Sequence, residues 1–179
     1  MDQSLFSAPF ISTFIFWLIG ITGNWRRTLV ITLLSYSAVI LSFQHFRMIA
    51  NMVKDTFGSS MNGDQRLAFG FGACLVIALI GLLILYNVLW KPTPILHDHQ
   101  GFGVRFLLSL ATALIGWVLG VLIAACYLEL ADNIIVLAPG NETSFLWNAF
   151  RVSINVAINL VKPWLVQDPP SFLILLGKL

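Results

Sequence analysis

The feature that most constrains the fold of this chain is a run of 24 residues, Leu67 to Trp90, without a single Asp, Glu, Lys or Arg. As a helix this run would be roughly 36 Å long, whereas the hydrocarbon layer of a bilayer is about 30 Å thick. A second charge-free run, Phe106 to Leu128, follows after a short polar segment. The rest of this 179-residue chain is too small to shield both runs from water. The sequence therefore predicts two transmembrane helices.

The composition of the whole chain agrees with a membrane location. Hydrophobic residues make up 58% of the chain and charged residues only 10%, whereas a soluble domain typically has about 25% charged residues. The net charge of +2 is small and the basic residues do not form a cluster, which argues against nucleic acid as a partner. We expect a single membrane domain surrounded by the lipid bilayer.

Two further segments are candidates for membrane spans, at 5–21 and 28–46. The first could be mistaken for a signal peptide, but its positive charges, Arg26 and Arg27, follow the apolar stretch instead of preceding it. With the two long runs, these segments predict an all-α membrane protein of about four transmembrane helices. The four spans, at about 5–21, 28–46, 67–90 and 106–128, lie within a transmembrane domain covering residues 1–133.

Lysine and arginine residues near the ends of the predicted spans indicate the orientation. The segments 22–27 and 91–105 lie on one side of the membrane and hold four such residues, whereas 47–66 on the other side holds three. Cytoplasmic loops carry the excess of Lys and Arg. We therefore expect both termini to lie outside the cytoplasm.

A different pattern appears between residues 144 and 166, within the predicted C-terminal region 134–179. Polar side chains recur there every three or four residues, at Asn148, Arg151, Asn155, Asn159 and Lys162. This spacing places them in one stripe along an otherwise apolar helix. Such a helix is typical of the membrane interface or of the side of a bundle. We expect an interfacial amphipathic helix; a tilted fifth span is the alternative.

Small residues recur at helical spacing on both long charge-free runs. The second run contains Gly116 and Gly120, which form a GxxxG step. The small residues of the first run are Gly70, Ala73, Cys74, Ala78 and Gly81. Small side chains let helix backbones approach closely in lipid, where apolar surface alone does not drive association. We expect these residues to pack the two runs together within one chain; a dimerisation face is the alternative.

Three histidines could bind a metal or a cofactor. His97 and His99 flank Asp98, and together they offer suitable metal donors. His45 ends a predicted span, where it could be an axial ligand of a haem or other pigment. We favour a polar turn at 97–99 and a solvated His45, and we expect no bound metal or cofactor.

Two cysteines, Cys74 and Cys126, lie near the same membrane face if the long runs form an antiparallel hairpin. A disulfide between them is then geometrically conceivable. Both lie in apolar helical sequence, where cysteine behaves mostly as a small hydrophobic residue. We expect two buried thiols.

No catalytic motif stands out along the chain. The interiors of the two long runs contain no ionisable Asp, Glu, Lys, Arg or His, although such residues usually mark active sites and ion pathways in membranes. Motifs such as H-E-x-x-H and G-x-S-x-G are also absent from the sequence. We expect that the protein is not an enzyme.

The order of these parts resembles the colicin V production protein family of bacterial inner-membrane proteins. The segment Gly23-Asn24-Trp25-Arg26-Arg27 is similar to the first cytoplasmic loop of that family, without its usual acidic residue after the arginines. Gln100-Gly101-Phe102-Gly103, followed by Gly116 and Gly120, is similar to the Gly-rich start of its last span. The resemblance implies a four-span protein of the bacterial inner membrane with a role in export or envelope maintenance.

Together these patterns favour a structural or accessory subunit of a membrane assembly, which would act through helix contacts with other membrane subunits or with copies of itself. One alternative is an oligomeric channel or export component. Another is a subunit that holds a haem or pigment in an energy-transducing complex, with His45 or the His97 and His99 pair as ligands.

Overall fold

Helices make up nearly all of the chain that the computed structural model describes, which is residues 7–22, 25–57, 61–89, 102–131 and 145–178. The helices are α1 Ser7–Thr22, α2 Trp25–Phe57, α3 Gly63–Leu89, α4 Phe102–Leu130, α5 Phe145–Val161 and α6 Ser171–Lys178, with a 3-10 turn at Lys162–Trp164 after α5. These ranges contain no strand. The prediction of an all-α membrane protein is confirmed.

Three of the described helices are long and apolar enough to cross a membrane, and they contain residues 26–55, 63–88 and 103–130. The apolar part of α1, Ala8–Thr22, is shorter. The 16 residues of α1 would extend about 24 Å, less than the roughly 30 Å of the hydrocarbon layer. Composition and length thus support three spans in α2, α3 and α4, with α1 as a shorter apolar helix beside them.

Helix α2 extends well beyond the predicted span, and the expected loop at 47–66 is wrong over its first half. The helix runs without a break through Arg47 to Phe57. Ala50 and Val53 are buried in this extension, whereas Lys54 is exposed. The spacing of Phe46, Ala50 and Val53 continues one apolar face, so burial against α3 stabilises a segment that its charges had made look like a loop.

The start of α3 is set by a reciprocal pair of hydrogen bonds. The Gln65 amide N–H donates to Asn62 Oδ1 at 2.7 Å, and the Asn62 N–H donates to Gln65 Oε1 at 3.1 Å. This is a capping box, which satisfies two backbone donors at the open end of a helix. As a result α3 begins at Gly63, four residues before the charge-free run.

Helix α4 occupies the centre of the bundle. Its chief neighbour is α1, while α2 packs chiefly on α3. The two long charge-free helices make a smaller contact with each other, and a Cβ built on Gly72 of α3 would lie 3.7 Å from Cys126 Sγ of α4. The pairing of helices therefore differs from the tight α3–α4 hairpin expected from the small residues.

An aromatic cluster joins α2, α3 and the C-terminal helix. The Phe71 ring centroid lies 4.8 Å from that of Phe43 and 6.4 Å from those of Phe46 and Phe172, in edge-to-face geometry. All four side chains are almost completely buried. Edge-to-face pairs contribute beyond the area that they bury. Helix α6, which contains Phe172, is thus part of the core and not a loose tail.

Helix α5 has three distinct sides. One side is buried against the bundle and contains Trp147, Phe150, Ile154, Ala157 and Val161. The polar stripe predicted from the sequence occupies a second side, and the third exposes Val152, Val156 and Leu160. A helix with one side on the protein, one polar side and one exposed apolar side is typical of the edge of a membrane bundle, near the lipid head groups. The interfacial position of α5 stays a prediction.

Candidate functional site

The GxxxG residues of α4 lie directly against α1. A Cβ built on Gly116 would be 2.7 Å from Phe16 Cβ, and one built on Gly120 would be 2.6 Å from Pro9 Cα. Real Cβ atoms do not approach other carbons this closely, so the contact requires glycine at both positions. Ser12 Oγ also donates to the Gly116 carbonyl at 2.7 Å. This surface of α4 is therefore occupied within the chain.

The small residues at the start of α3 lie against α2. A Cβ on Gly70 would be 2.6 Å from the Phe46 carbonyl oxygen and 2.8 Å from the Ala50 amide nitrogen. One turn further on, the buried Cys74 thiol donates to the Leu41 carbonyl at 3.8 Å. Close approach of α2 thus explains this pair of small residues.

The two cysteines are both free and buried. Cys74 lies on the side of α3 that meets α2, whereas Cys126 is buried in α4 beside Gly72. Cys126 belongs to the apolar core cluster, whereas Cys74 is buried at the contact between α3 and α2. Packing accounts for both residues.

Polar side chains inside the bundle connect neighbouring helices. Thr32 and Thr112 share a hydrogen bond of 3.1 Å between α2 and α4. Trp117 Nε1 donates to Ser153 Oγ at 2.6 Å, which joins α4 to α5. Because a hydroxyl or an indole N–H without a partner is costly in lipid, such bonds hold helices in register. These polar groups of the interior are therefore used for assembly.

The segment after α5 is held on α2 by side-chain amides. Gln167 Nε2 donates to the Phe43 carbonyl at 3.0 Å and to the Gln44 carbonyl at 2.7 Å. Gln44 Nε2 donates in return to the Trp164 carbonyl at 3.1 Å. Tyr36 adds a bond from its hydroxyl to the Leu160 carbonyl at 2.8 Å. These bonds attach the end of α5 and the segment after it to the middle of α2, between Tyr36 and Gln44.

We expect Gln167→Ala to loosen this attachment. The variant removes both bonds to the α2 backbone, each worth about 0.5–1.5 kcal/mol. Hydrogen exchange of residues 162–178 should become faster by about tenfold, while exchange in α4 stays unchanged. Asn159→Ala, which removes an exposed amide on α5, serves as the matched control and should leave exchange as it is. Equal exchange in both variants would contradict the docking role of Gln167.

Of the three histidine candidates, only His45 lies in the part of the chain that the structure describes. His45 is exposed on α2. His97 and His99 lie outside the described residues. Among the residues that are described, no group of three His, Cys, Asp or Glu side chains is close enough to hold a metal ion.

The outer face of α3, defined by Ile77, Ile80, Gly81, Ile84 and Val88, packs against no other helix in the part of the chain that is described. Ile77 is 63% exposed, Ile84 59% and Val88 70%. A Cβ built on Gly81 would meet nothing within 4 Å, unlike those on the three packed glycines above. Ala78, about one turn before Gly81, is half-buried on the adjoining side. Gly81 thus forms an open notch in the surface of the helix.

Sequence reasoning missed the hydroxyl and amide residues that join the helices. Ser12, Thr112 and Gln167 carry no local signal for a partner about 100 residues away. Their position within or beside apolar runs was the one sign in the sequence that these side chains bond to another helix, since buried polar groups need hydrogen-bond partners.

Comparison of the chain with models of protein families, with curated proteins and with solved structures finds no match.

Proposed function

We propose that this protein is a structural or accessory subunit of a membrane assembly, and that the outer face of α3 receives a helix from another subunit. The observation that carries this proposal is the open notch at Gly81. Glycine inside a helix costs about 1 kcal/mol relative to alanine. At Gly70, Gly116 and Gly120 a neighbouring helix fills the space beside the glycine. A partner helix at Gly81 would give that residue the same role.

The chemistry of the outer face suits a helix from another membrane protein. Ile77, Ile84 and Val88 lie within about three turns on the same side as Gly81, and all are exposed. Branched side chains around a glycine form a groove into which a second helix can pack by van der Waals contact. The interior supports the same proposal, because several of its polar groups, such as Thr32, Thr112 and Trp117, tie helices together.

The cellular setting is part of the proposal. The resemblance to colicin V production proteins supports a role in export or envelope maintenance in the bacterial inner membrane. The distribution of Lys and Arg supports a cytoplasmic position for the segments 22–27 and 91–105. Both termini then lie outside the cytoplasm, on condition that the shorter α1 also crosses the membrane.

Cross-linking combined with purification in mild detergent tests the partner. A photo-reactive residue at Ile84 should cross-link to one distinct membrane protein, and Gly81→Leu should reduce its recovery at least tenfold. The matched control is Leu107, which is 67% exposed on α4; a probe there should give no such product, and Leu107→Ala should leave recovery unchanged.

Other outcomes would contradict the subunit proposal. A cross-link at Ile84 only between copies of this chain, with ion conductance after reconstitution, would support the channel alternative. A pigment spectrum in the purified protein that His45→Ala abolishes would support the cofactor alternative.

A further inference from the structure

A cavity of about 600 Å³ lies between the first four helices. It is separate from the outer face of α3, because it is lined by the opposite side of that helix, at Leu79 and Leu82. Binding sites for small molecules typically have volumes of about 300–1,000 Å³. The exposed lining residues Thr22, Arg27 and Leu83 show that the cavity opens to the outside of the protein.

The wall of the cavity is mostly apolar, and its depth matches half of a membrane. The apolar lining includes Phe16 and Ile19 of α1, Ile31 of α2, Leu82 of α3 and Leu119 of α4. Arg27 and Ser35 both line the cavity from α2, and eight residues of helix separate them by about 12 Å. Half of the hydrocarbon layer is about 15 Å. The cavity can therefore hold a chain that enters from one leaflet.

Polar groups are concentrated at the open end of the cavity. Arg27 is exposed there beside the Thr22 and Thr28 hydroxyls. Within the described ranges the Arg27 guanidinium makes no hydrogen bond or ion pair, whereas Thr22 and Thr28 donate to carbonyls of α1. A guanidinium at the end of a span is well placed for a phosphate, which it can bind through two parallel hydrogen bonds.

A second unpartnered polar group lies deeper in the same cavity. Ser35 is only 5% exposed and lines the cavity, but its hydroxyl has no hydrogen-bond partner among the described residues. Other hydroxyls of the bundle, such as those of Ser37 and Ser42, bond to the carbonyl four residues earlier. The deep end of the cavity therefore holds an unpartnered hydroxyl beside its apolar wall.

We propose that this cavity binds one anionic phospholipid from the leaflet on the Arg27 side, with an acyl chain in the cavity and the phosphate on Arg27. The charge at the opening selects the head group, and the apolar wall accepts the chain. Basic pockets between transmembrane helices recognise anionic lipid head groups in this way. The site is independent of the partner surface on α3.

Native mass spectrometry of the purified full chain tests this proposal with two lipids of identical acyl chains, phosphatidylglycerol and phosphatidylcholine. The wild-type protein should retain one phosphatidylglycerol with about tenfold preference over phosphatidylcholine. Arg27→Ala should abolish the preference. Arg47→Ala, the same change at the other end of the charge-free part of α2, should retain it.

The apolar part of the site is tested by filling the cavity. Leu82→Trp should prevent retention of both lipids, and Leu34→Phe provides a smaller change if the first variant does not fold. Each variant is compared with wild type by elution volume and thermal midpoint.

Several results would overturn the proposal. These are a wild-type protein that retains no lipid, an unchanged preference in Arg27→Ala, or full retention in both folded cavity variants. Displacement of the lipid by millimolar glycerol 1-phosphate would also overturn it, because the site would then bind a free phosphate and not a lipid chain.

Discussion

Gly120→Ala should destabilise the protein by about 2–3 kcal/mol, because α1 and α4 cannot separate without losing their whole interface. The added Cβ would collide with Ser12 Oγ and would lie 2.6 Å from Pro9 Cα and 3.0 Å from the Ala8 carbonyl oxygen. The two latter atoms belong to the backbone of α1 and cannot rotate away. The free energy of unfolding in detergent micelles measures the effect.

Gly81→Ala is the matched control for this prediction, and its effect should have the opposite sign. The same Cβ at Gly81 meets nothing within 4 Å, so only the better helix propensity of alanine remains, worth up to about 1 kcal/mol. If the two variants shift stability equally, the close approach of α1 to α4 does not contribute to the fold.

Phe71→Ala should have the largest effect among the core substitutions, about 3 kcal/mol or more. Phe71 is fully buried and contacts the rings of Phe43, Phe46 and Phe172. Lipid tails are as apolar as the core, so the loss comes from the cavity and the broken ring contacts more than from transfer out of water. Helix α6 should also detach, since Phe172 loses its partner.

Two measurements check the Phe71 prediction. The free energy of unfolding should fall, and a protease should cleave the segment 162–178 at least tenfold faster in the folded state. Phe14→Ala is the control, because Phe14 is 57% exposed on α1 and its removal opens no internal space. Similar cleavage rates in both variants would contradict the role of Phe71 in holding α6.

The sequence predicted the helices of this protein much better than their ends. Charge-free runs identify α3 and α4 because lipid excludes ionised side chains over the whole length of a span. Because charged residues begin at Arg47, the same rule predicted that a loop follows Phe46, whereas α2 continues to Phe57. Charges mark the edge of the hydrocarbon layer, not the end of a helix, and only burial of Ala50 and Val53 shows that the helix goes on. The capping pair at the start of α3 was a local signal that was present and missed.

The sequence also predicted small residues for close packing without indicating which helices meet. Gly116 and Gly120 face α1, and Gly70 faces α2, because a glycine shows only that some backbone comes near. The polar stripe of α5 was visible in its spacing, whereas the short α6 was not expected to be a core element. Its three buried residues, Phe172, Leu173 and Leu176, form too short a pattern to distinguish a docked helix from a tail.

The apolar runs are enough to indicate that this chain lies in a membrane as helices, since such runs can satisfy their backbone hydrogen bonds in lipid only within the helix itself. The central position of α4, the open side of Gly81 and the cavity shared by Arg27 and Ser35 follow only from the packed helices. Pairing of helices depends on shape and on hydrogen bonds between residues far apart in the chain. Those interactions leave no periodic pattern in the sequence.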